Sequence, residues 1–284
     1  MKHRSKSIKL LLNRTGKILL VLFGILFFSF QNPDYSNFRL LATIEIWAKD
    51  MQSDRLGNVY VVSRTNQLFK YDLNGKITSN LNYAYLGNIS HIDASNPFEL
   101  YLFYKELNAV IFLDNNLAYR GRMNLSDAGV IQAGTAARNY ANGIWVFDQG
   151  DLQLKKIERD GKVTQVSGNV LKFAQTRNLA PNYMFDNGSK VFVNDSMVGI
   201  LVFDVFANYQ KTIPLKGLKS FKILDDELYF LRNHQLFAYH LKTLQQKSIV
   251  LPDSNFKDFS IEKEQIYLQK ESQICIYSLP EKSK

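Results

Sequence analysis

The chain alternates short apolar runs with short polar gaps, and each run is too brief to form a helix. The segment from Asp54 to Thr78, DRLGNVYVVSRTNQLFKYDLNGKIT, shows the pattern most clearly. Runs of four to eight residues that are rich in β-branched and aromatic residues predict strands. The Asn-Gly pair near the end of the segment predicts a hairpin in which both turn residues have positive φ.

The same pattern occurs six times along the chain. An aromatic residue in the first apolar run marks each copy, and successive markers are 41, 44, 47, 37 and 38 residues apart. The landmark of the second apolar run follows its marker after 10 to 12 residues in every copy. The six markers are Tyr60, Tyr101, Trp145, Phe192, Tyr229 and Tyr267.

Two further strand-like segments accompany each pair of runs, so each unit of about 40 residues contains four predicted antiparallel strands. This arrangement is typical of a β-propeller, and the sequence therefore predicts an all-β, six-bladed β-propeller. Runs such as VYVV and ILVF do not alternate, so we expect strands that are buried on both faces. A β-sandwich is the alternative, but it does not explain six copies with one internal spacing.

The sixth unit is incomplete, because the chain ends soon after QICIYSL without a fourth strand. A strand-like segment at the other end, NFRLLATIEI from Asn37 to Ile46, has no unit of its own. We expect this N-terminal strand to close the last blade, since an unpaired sheet edge promotes aggregation.

The Asp54–Thr78 segment resembles one blade of the NHL-type six-bladed propellers, which often show D-x-x-G-N-x-Y-V, then an aromatic strand, then G-K. The third copy resembles them in part, through NGIWVFDQ and ERDGK. The chain is also generally similar to exported envelope propellers that accompany type IX secretion and gliding machinery. Such propellers include enzymes, receptors and scaffolds, so the resemblance implies a fold rather than an activity.

The charge distribution argues against a nucleic-acid partner. The formal net charge is +9, but residues 1–30 contain six basic and no acidic residues. The remainder has 29 basic against 26 acidic residues, a net charge of +3. Nucleic-acid binding requires positive charge concentrated on the folded domain.

The N-terminus has the pattern of an export signal, with basic residues before the thirteen-residue run ILLVLFGILFFSF. The run is short for a membrane-spanning helix, but no small-residue cleavage site follows it, so an uncleaved anchor remains open. We interpret residues 1–30 as an export signal or signal anchor, 31–37 as a short linker and 38–284 as the propeller. The expected location is the periplasm, or the inner membrane with the propeller facing the periplasm.

Candidate chemistry is sparse in this sequence. The single cysteine, Cys275, lies in an apolar run and is expected to be a buried structural thiol. Lactonase-like propellers hold a divalent metal in the central channel, and the inner-strand candidates here are Asp50, His91, Asp93, Arg138, Asp186, Asp225 and Asp258. Because acidic residues are also common at strand ends and in turns, we assign no catalytic residue, no metal ligand and no cofactor.

The loops that follow the first apolar run should lie on one face of the ring. The equivalent loop positions differ in chemistry from unit to unit, which is expected of a face that recognises one macromolecular partner, or of one that is only solvated. The candidate interaction residues are Tyr104, Lys105, Asp148, Asp195, Arg232 and Lys270. A sugar- or peptide-binding module would instead need exposed aromatic residues at a channel mouth, for which Tyr104 and Tyr140 are candidates.

The sequence therefore predicts a non-enzymatic scaffold or accessory subunit of a cell-envelope complex, with protein secretion as the candidate process. Its partners would be envelope proteins, with membrane contact only through an uncleaved N-terminal segment. The alternative is a metal-dependent hydrolase or lactonase with its site in the central channel.

Overall fold

The computed structural model describes residues 38–82, 86–174, 176 and 178–279. The predicted export segment and linker, residues 1–37, lie outside the described residues. The described strands form six four-stranded antiparallel sheets, which confirms the predicted six-bladed propeller. No helix in the described part of the chain is long and apolar enough to cross a bilayer.

The first three blades each use four successive strands. Blade one contains β2 (Ala48–Ser53), β3 (Val59–Ser63), β4 (Leu68–Tyr71) and β5 (Ile77–Leu81). Blade two contains β6 (His91–Asp93), β7 (Glu99–Tyr104), β8 (Ala109–Asp114) and β9 (Tyr119–Asn124). Blade three contains β10 (Ala133–Arg138), β11 (Ile144–Asp148), β12 (Gln153–Ile157) and β13 (Val163–Val166).

The last three blades include the one that closes the ring. Blade four contains β14 (Tyr183–Asp186), β15 (Lys190–Asp195), β16 (Gly199–Asp204) and β17 (Tyr209–Ile213). Blade five contains β18 (Lys222–Leu224), β19 (Glu227–Arg232), β20 (Gln235–His240) and β21 (Gln246–Ile249). Blade six contains β22 (Asp258–Ile261), β23 (Gln265–Gln269), β24 (Gln273–Ser278) and β1 (Arg39–Glu45). A 3₁₀ helix (Leu125–Ala128) and α1 (Leu171–Ala174) lie in the links before blades three and four.

The strand order defines an axis and two faces. The first strand of each blade is innermost, because first strands of several neighbouring blades contact one another. The upper face carries the loops between second and third strands and the links between blades. The lower face carries the loops between first and second strands and between third and fourth strands.

The apolar core lies between the blades. In β3, Tyr60 and Val62 pack in a cluster with blade two, whereas Val59 and Val61 pack in a cluster with blade six. All of β3 is buried, which confirms the expected burial on both faces. Full burial of a valine or leucine side chain contributes about 1.5–3 kcal/mol, so each blade depends on its two neighbours for stability.

The closure of the ring is also confirmed. Strand β1 pairs antiparallel with β24 from Arg39 opposite Ser278 to Glu45 opposite Gln273. The side chain of Ile44 enters the apolar cluster between blades six and one. The first and last strands of the described chain therefore complete one sheet.

The Asn-Gly and Asp-Gly hairpins occur where the sequence predicts them, but with a different backbone conformation. Gly75 and Gly161 have φ of 73° and 87°, whereas Asn74 and Asp160 do not have positive φ. The Asp72 carboxylate instead accepts the N–H groups of residues 74 and 76, next to an irregularity in the strand register. The expectation of two positive-φ residues was wrong, because a longer turn with a bulge needs only the glycine.

The cysteine gives a direct test of the closure. Cys275 is buried, and burial raises the pKa of its thiol, consistent with a structural role. It lies directly opposite Thr43 of β1. Directly opposed residues of antiparallel strands have Cα atoms about 4.5–5.5 Å apart, which is within the range that a disulfide spans.

We expect Thr43→Cys to form a disulfide with Cys275 under mild oxidation. Alkylation in denaturant, with and without reductant, measures the number of free thiols. Ala42→Cys is the matched control, because successive side chains of a strand point to opposite faces, and it should keep both thiols free. If the two variants behave alike, β1 does not pair with β24 in this register.

Candidate functional site

The first strands bring the predicted channel residues to the axis in two tiers. Asp50, His91 and Asp258 lie toward the upper ends of β2, β6 and β22. The lower tier is formed at or just after the ends of first strands, by Asp93, Arg138, Asp186 and Asp225. The seven residues therefore do not form a single metal site, and His91 is the only histidine among them.

The upper tier is an ion-pair cluster in the channel. His91 Nδ1 lies 3.4 Å from Asp50 Oδ2, and both side chains are largely buried. The same Asp50 oxygen accepts the N–H of Ile92 at 3.2 Å, which joins blade one to blade two. Lys219, from the link before blade five, forms an ion pair with the buried carboxylate of Asp258.

The protonation of this cluster follows from burial and pairing. Burial by itself lowers the pKa of His91. The hydrogen bond and the charge of Asp50 raise it by more, so the pKa is above its ordinary value of 6.5. Burial raises the pKa of Asp50, yet its contacts with His91 outweigh burial and lower the net pKa. Burial dominates at Asp258, whose pKa is raised despite the ion pair with Lys219. The ring of Tyr183 packs edge-on against His91, with centroids 5.1 Å apart.

The carboxylates of the lower tier are mostly engaged in joining blades. Asp93 accepts the N–H of Arg138 at 2.7 Å, which connects blade two to blade three. Asp186 Oδ2 accepts three hydrogen bonds from blade three, from the Asn139 side chain, the Tyr140 N–H and the buried Trp145 Nε1. These bonds commit oxygens of Asp93 and Asp186 to contacts between blades. Among the described residues, no group of three or more His, Cys, Asp and Glu side chains is placed to hold a metal ion.

The channel opens on the lower face into a wide cavity. A small inner space of about 10 Å³ is bordered by His91, Tyr183 and Lys222, and it meets the lower mouth at Ser95 and Phe185. The mouth cavity has a volume of about 390 Å³. Its lining is Ser95, Arg138, Tyr140, Phe185, Asp186, Asn187, Ile223, Leu224, Asp225 and Lys263.

Tyr140 forms a fixed aromatic surface at this mouth. Its side chain is 73% exposed, yet its N–H is bonded to Asp186 and its ring packs on Gly188. A Cβ at Gly188 would lie 3.2 Å from two ring atoms, and the φ of 87° there also favours glycine. Tyr140 thus meets the expectation of an exposed aromatic residue at a channel mouth. Tyr104 does not, because it is buried between blades one and two.

Three of the six candidate interaction residues are buried and cannot offer their side chains to a partner. They are Tyr104, Asp148 and Asp195. The two aspartates are the last residues of β11 and β15, and their carboxylates bond backbone N–H groups of adjacent upper-face segments. Asp148 accepts the N–H of Ile131 at 2.8 Å, and Asp195 accepts the N–H of Met197 at 2.8 Å. Asp148 also pairs with the buried amine of Lys155.

The other three candidates reach the upper surface. Lys105 is exposed, and Arg232 and Lys270 are partly exposed. Arg232 donates to the carbonyl of Lys216, and Lys270 pairs with Asp253. Their role in contacting a partner stays a prediction. The repeat pattern places these candidates next to the upper-face loops. It does not show whether a side chain turns inward to bond the loop or points outward.

Sequence reasoning missed several residues of the channel. Lys219 and Tyr183 belong to the upper tier, and Lys263 and Phe185 line the lower mouth. Lys219 lies in a link with no repeated counterpart, so no pattern marks it. Lys263 occupies a hairpin between first and second strands, and comparing those six hairpins with one another would have drawn attention to it.

Comparison with known proteins supports the fold and not an activity. No protein-family model and no curated protein matches the chain. Virginiamycin B lyase from Staphylococcus aureus is similar in structure, with a TM-score of 0.59, 13% identity, and coverage of 85% of this chain and 99% of that one. The Neurospora crassa Pan2 WD40 domain has a TM-score of 0.58 at 8% identity, with coverage of 88% and 98%. YCF48 bound to D1 peptide has a TM-score of 0.51 at 11% identity, with coverage of 85% and 79%.

The hydrogen bonds of Asp186 predict a structural role that is measurable by unfolding. We expect Asp186→Asn to lower the free energy of unfolding by about 2 kcal/mol, because it removes charge-assisted hydrogen bonds and places an amide beside buried donors. The exposed Asp225 of the same mouth is the matched control, and Asp225→Asn should change stability by less than about 0.5 kcal/mol. Denaturant titration measures both, and equal losses would contradict the structural role.

The raised pKa of His91 predicts a pH dependence. A histidine with a raised folded-state pKa contributes stability that is complete below its unfolded pKa and disappears as pH rises through the folded value. We therefore expect the stability difference between wild type and His91→Gln to be largest below pH 6.5 and to shrink above it. Denaturant titrations from pH 5 to pH 9 check this. A constant difference would show that His91 is uncharged in the fold.

Proposed function

We propose that the protein is a scaffold that binds a protein partner through its upper face, as an accessory subunit of a bacterial cell-envelope complex. The observation that carries the proposal is the display of two apolar side chains on that face. Ile131 is 68% exposed and Met197 is 77% exposed. Methionine is enriched at protein interfaces, and contact side chains that are already held in position lower the cost of ordering on binding.

Both side chains are held by buried groups. Asp148 and Asp195 fix the backbone at Ile131 and Met197 from below. Gly150 adds a second constraint, since a Cβ there would lie only 2.4 Å from the Cβ of Ile131. Binding loses little conformational entropy when the contact residues are already held in position. A prearranged surface therefore favours affinity.

Basic groups accompany this apolar pair on the same face. Lys105, Arg232 and Lys270 lie in the loops of blades two, five and six. Arginine and methionine are enriched in protein interfaces relative to the rest of the surface. Because Lys270 is already paired with Asp253, the face suits a partner with an apolar patch and acidic groups opposite Lys105 and Arg232.

The class of partner is supported indirectly. One structural neighbour, YCF48, is described as bound to D1 peptide, and blade one resembles NHL-type repeats. The envelope location and the link to secretion depend on the export pattern of residues 1–30 and on the general resemblance to exported accessory propellers. They remain part of the proposal.

The alternative is a metal-dependent hydrolase in the central channel, and a lyase does occur among the structural neighbours. The engagement of Asp93 and Asp186 in joining blades favours the scaffold. Metal analysis of the purified protein separates the two. A stoichiometric divalent metal, with an activity lost on chelation, would support the hydrolase.

Photo-crosslinking in the producing cells tests the upper face. We expect a photoreactive amino acid at position 131 or 197 to capture a specific protein, and the same amino acid at the exposed lower-face residue Phe206 to capture none. Met197→Asp should reduce recovery of the captured protein at least about tenfold, a loss of 1.4 kcal/mol, and Phe206→Asp should not. Equal capture at all three positions, or none at any, would refute the proposed face.

A further inference from the structure

The lower face contains a long trough that the upper-face proposal does not use. The mouth cavity adjoins a second cavity of about 660 Å³, and the two share Leu224, Asp225 and Lys263. We call the combined space the lower trough. It runs from the channel mouth at Arg138 and Tyr140 to the groove between blades five and six at Arg39 and Leu279. The other lining residues are Leu41, Ser95, Phe185, Asp186, Asn187, Ile223, Glu227, Tyr229, Ile261, Glu262, Glu264, Gln265 and Ser278.

The shape and lining of the lower trough indicate an extended ligand. Phe185, Leu224 and Tyr229 provide partly exposed apolar and aromatic surface along it, and Tyr140 provides a fixed ring at the axial end. Polar and charged side chains alternate with this surface. A mixture of apolar surface and fixed polar groups is typical of binding sites. An elongated site of this kind fits a peptide chain better than a single compact sugar.

Charge differs between the two ends of the lower trough. At the axial end, the charge of Asp186 is compensated by four hydrogen-bond donors and the charges of Asp225 and Lys263 offset each other, whereas Arg138 has no ion-pair partner within the described structure. At the outer end, Glu227 and Glu264 face a groove with fewer bases than acids. The axial end therefore favours a ligand carboxylate and the outer end a ligand amine or guanidinium.

Two buried polar atoms lack partners at these ends. Arg138 Nη2 donates to Asn142 Oδ1 at 2.5 Å, but Arg138 Nε has no hydrogen-bond acceptor among the described residues. Glu227 Oε1 binds Lys247, but Oε2 has no donor there. An unpaired buried polar atom costs about 1–3 kcal/mol. Because neither atom has accessible surface, a ligand would recover this cost only by drawing the two side chains outward.

We propose that the lower trough binds an extended peptide segment of a protein partner, with a carboxylate next to Arg138 and a basic side chain next to Glu227 and Glu264. An apolar side chain of the peptide packs on Tyr140. The inference rests on the proposed function for the class of partner. It does not depend on the upper face.

A displayed library of random ten-residue peptides, selected against the full-length protein in detergent, tests the trough. An extended ten-residue peptide spans about 33 Å. We expect enriched peptides to contain one acidic and one basic position separated by apolar residues. Arg138→Gln and Glu227→Gln should each weaken binding of a selected peptide about tenfold by fluorescence anisotropy, and Tyr140→Ala should weaken it similarly.

Matched controls remove exposed charges that do not line the trough. Lys162→Gln and Glu106→Gln should leave peptide binding unchanged, and thermal unfolding of every variant confirms that it is folded. Selected peptides that bind Arg138→Gln and Glu227→Gln as well as wild type would overturn the inference. Glycan-array ligands that depend on Tyr140, in the absence of enriched peptides, would overturn it in favour of a carbohydrate.

The two proposals fail in distinguishable ways. If no peptide is enriched but positions 131 and 197 still capture a protein in cells, the trough inference is wrong and the scaffold stands. If neither experiment yields a protein or peptide, the scaffold itself is wrong.

Discussion

Every blade of this protein has two apolar faces, and only another blade can cover them. In β3, alternate side chains enter clusters on opposite sides of the same sheet. A partial ring would leave one such face in water at each open end. The pairing of β1 with β24 removes that problem, because it completes the sixth sheet with a strand from the other end of the described chain. The architecture, the channel and both loop faces depend on this closure.

The same constraint explains the polar residues at the axis. Neighbouring first strands approach one another where side chains from six sheets converge, and their backbone groups must find hydrogen-bond partners. Asp50 and Asp93 accept hydrogen bonds from N–H groups of the next blade, and Asp186 accepts one from the preceding blade. Joining neighbouring blades does not require the same residue type in all six blades, so the carboxylates occur irregularly. An acidic channel is thus a consequence of joining the blades, and it is weak evidence for catalysis.

The fold could be predicted from sequence because its determinants are local and repeated. Short apolar runs, glycine turns and a constant internal spacing identify six units, and the missing strand of the last unit identifies the closure. The site could not be predicted to the same depth. The sequence places Asp148 and Asp195 next to the upper-face loops. Whether their side chains turn inward depends on whether a nearby backbone N–H needs an acceptor. The partner of Lys219, Asp258, lies in blade six, and no local pattern encodes this pair.

The two surfaces of the ring differ in a way that bears on function. The upper face offers isolated apolar side chains held by buried aspartates, which suits a broad and shallow contact. The lower face offers a long concave site with opposite charges at its ends, which suits an inserted segment. Both are built on loops anchored in one closed ring of close-packed sheets, and close-packed interiors deform little. Two ligands bound as proposed above would therefore be held at a fixed separation on opposite faces of the ring.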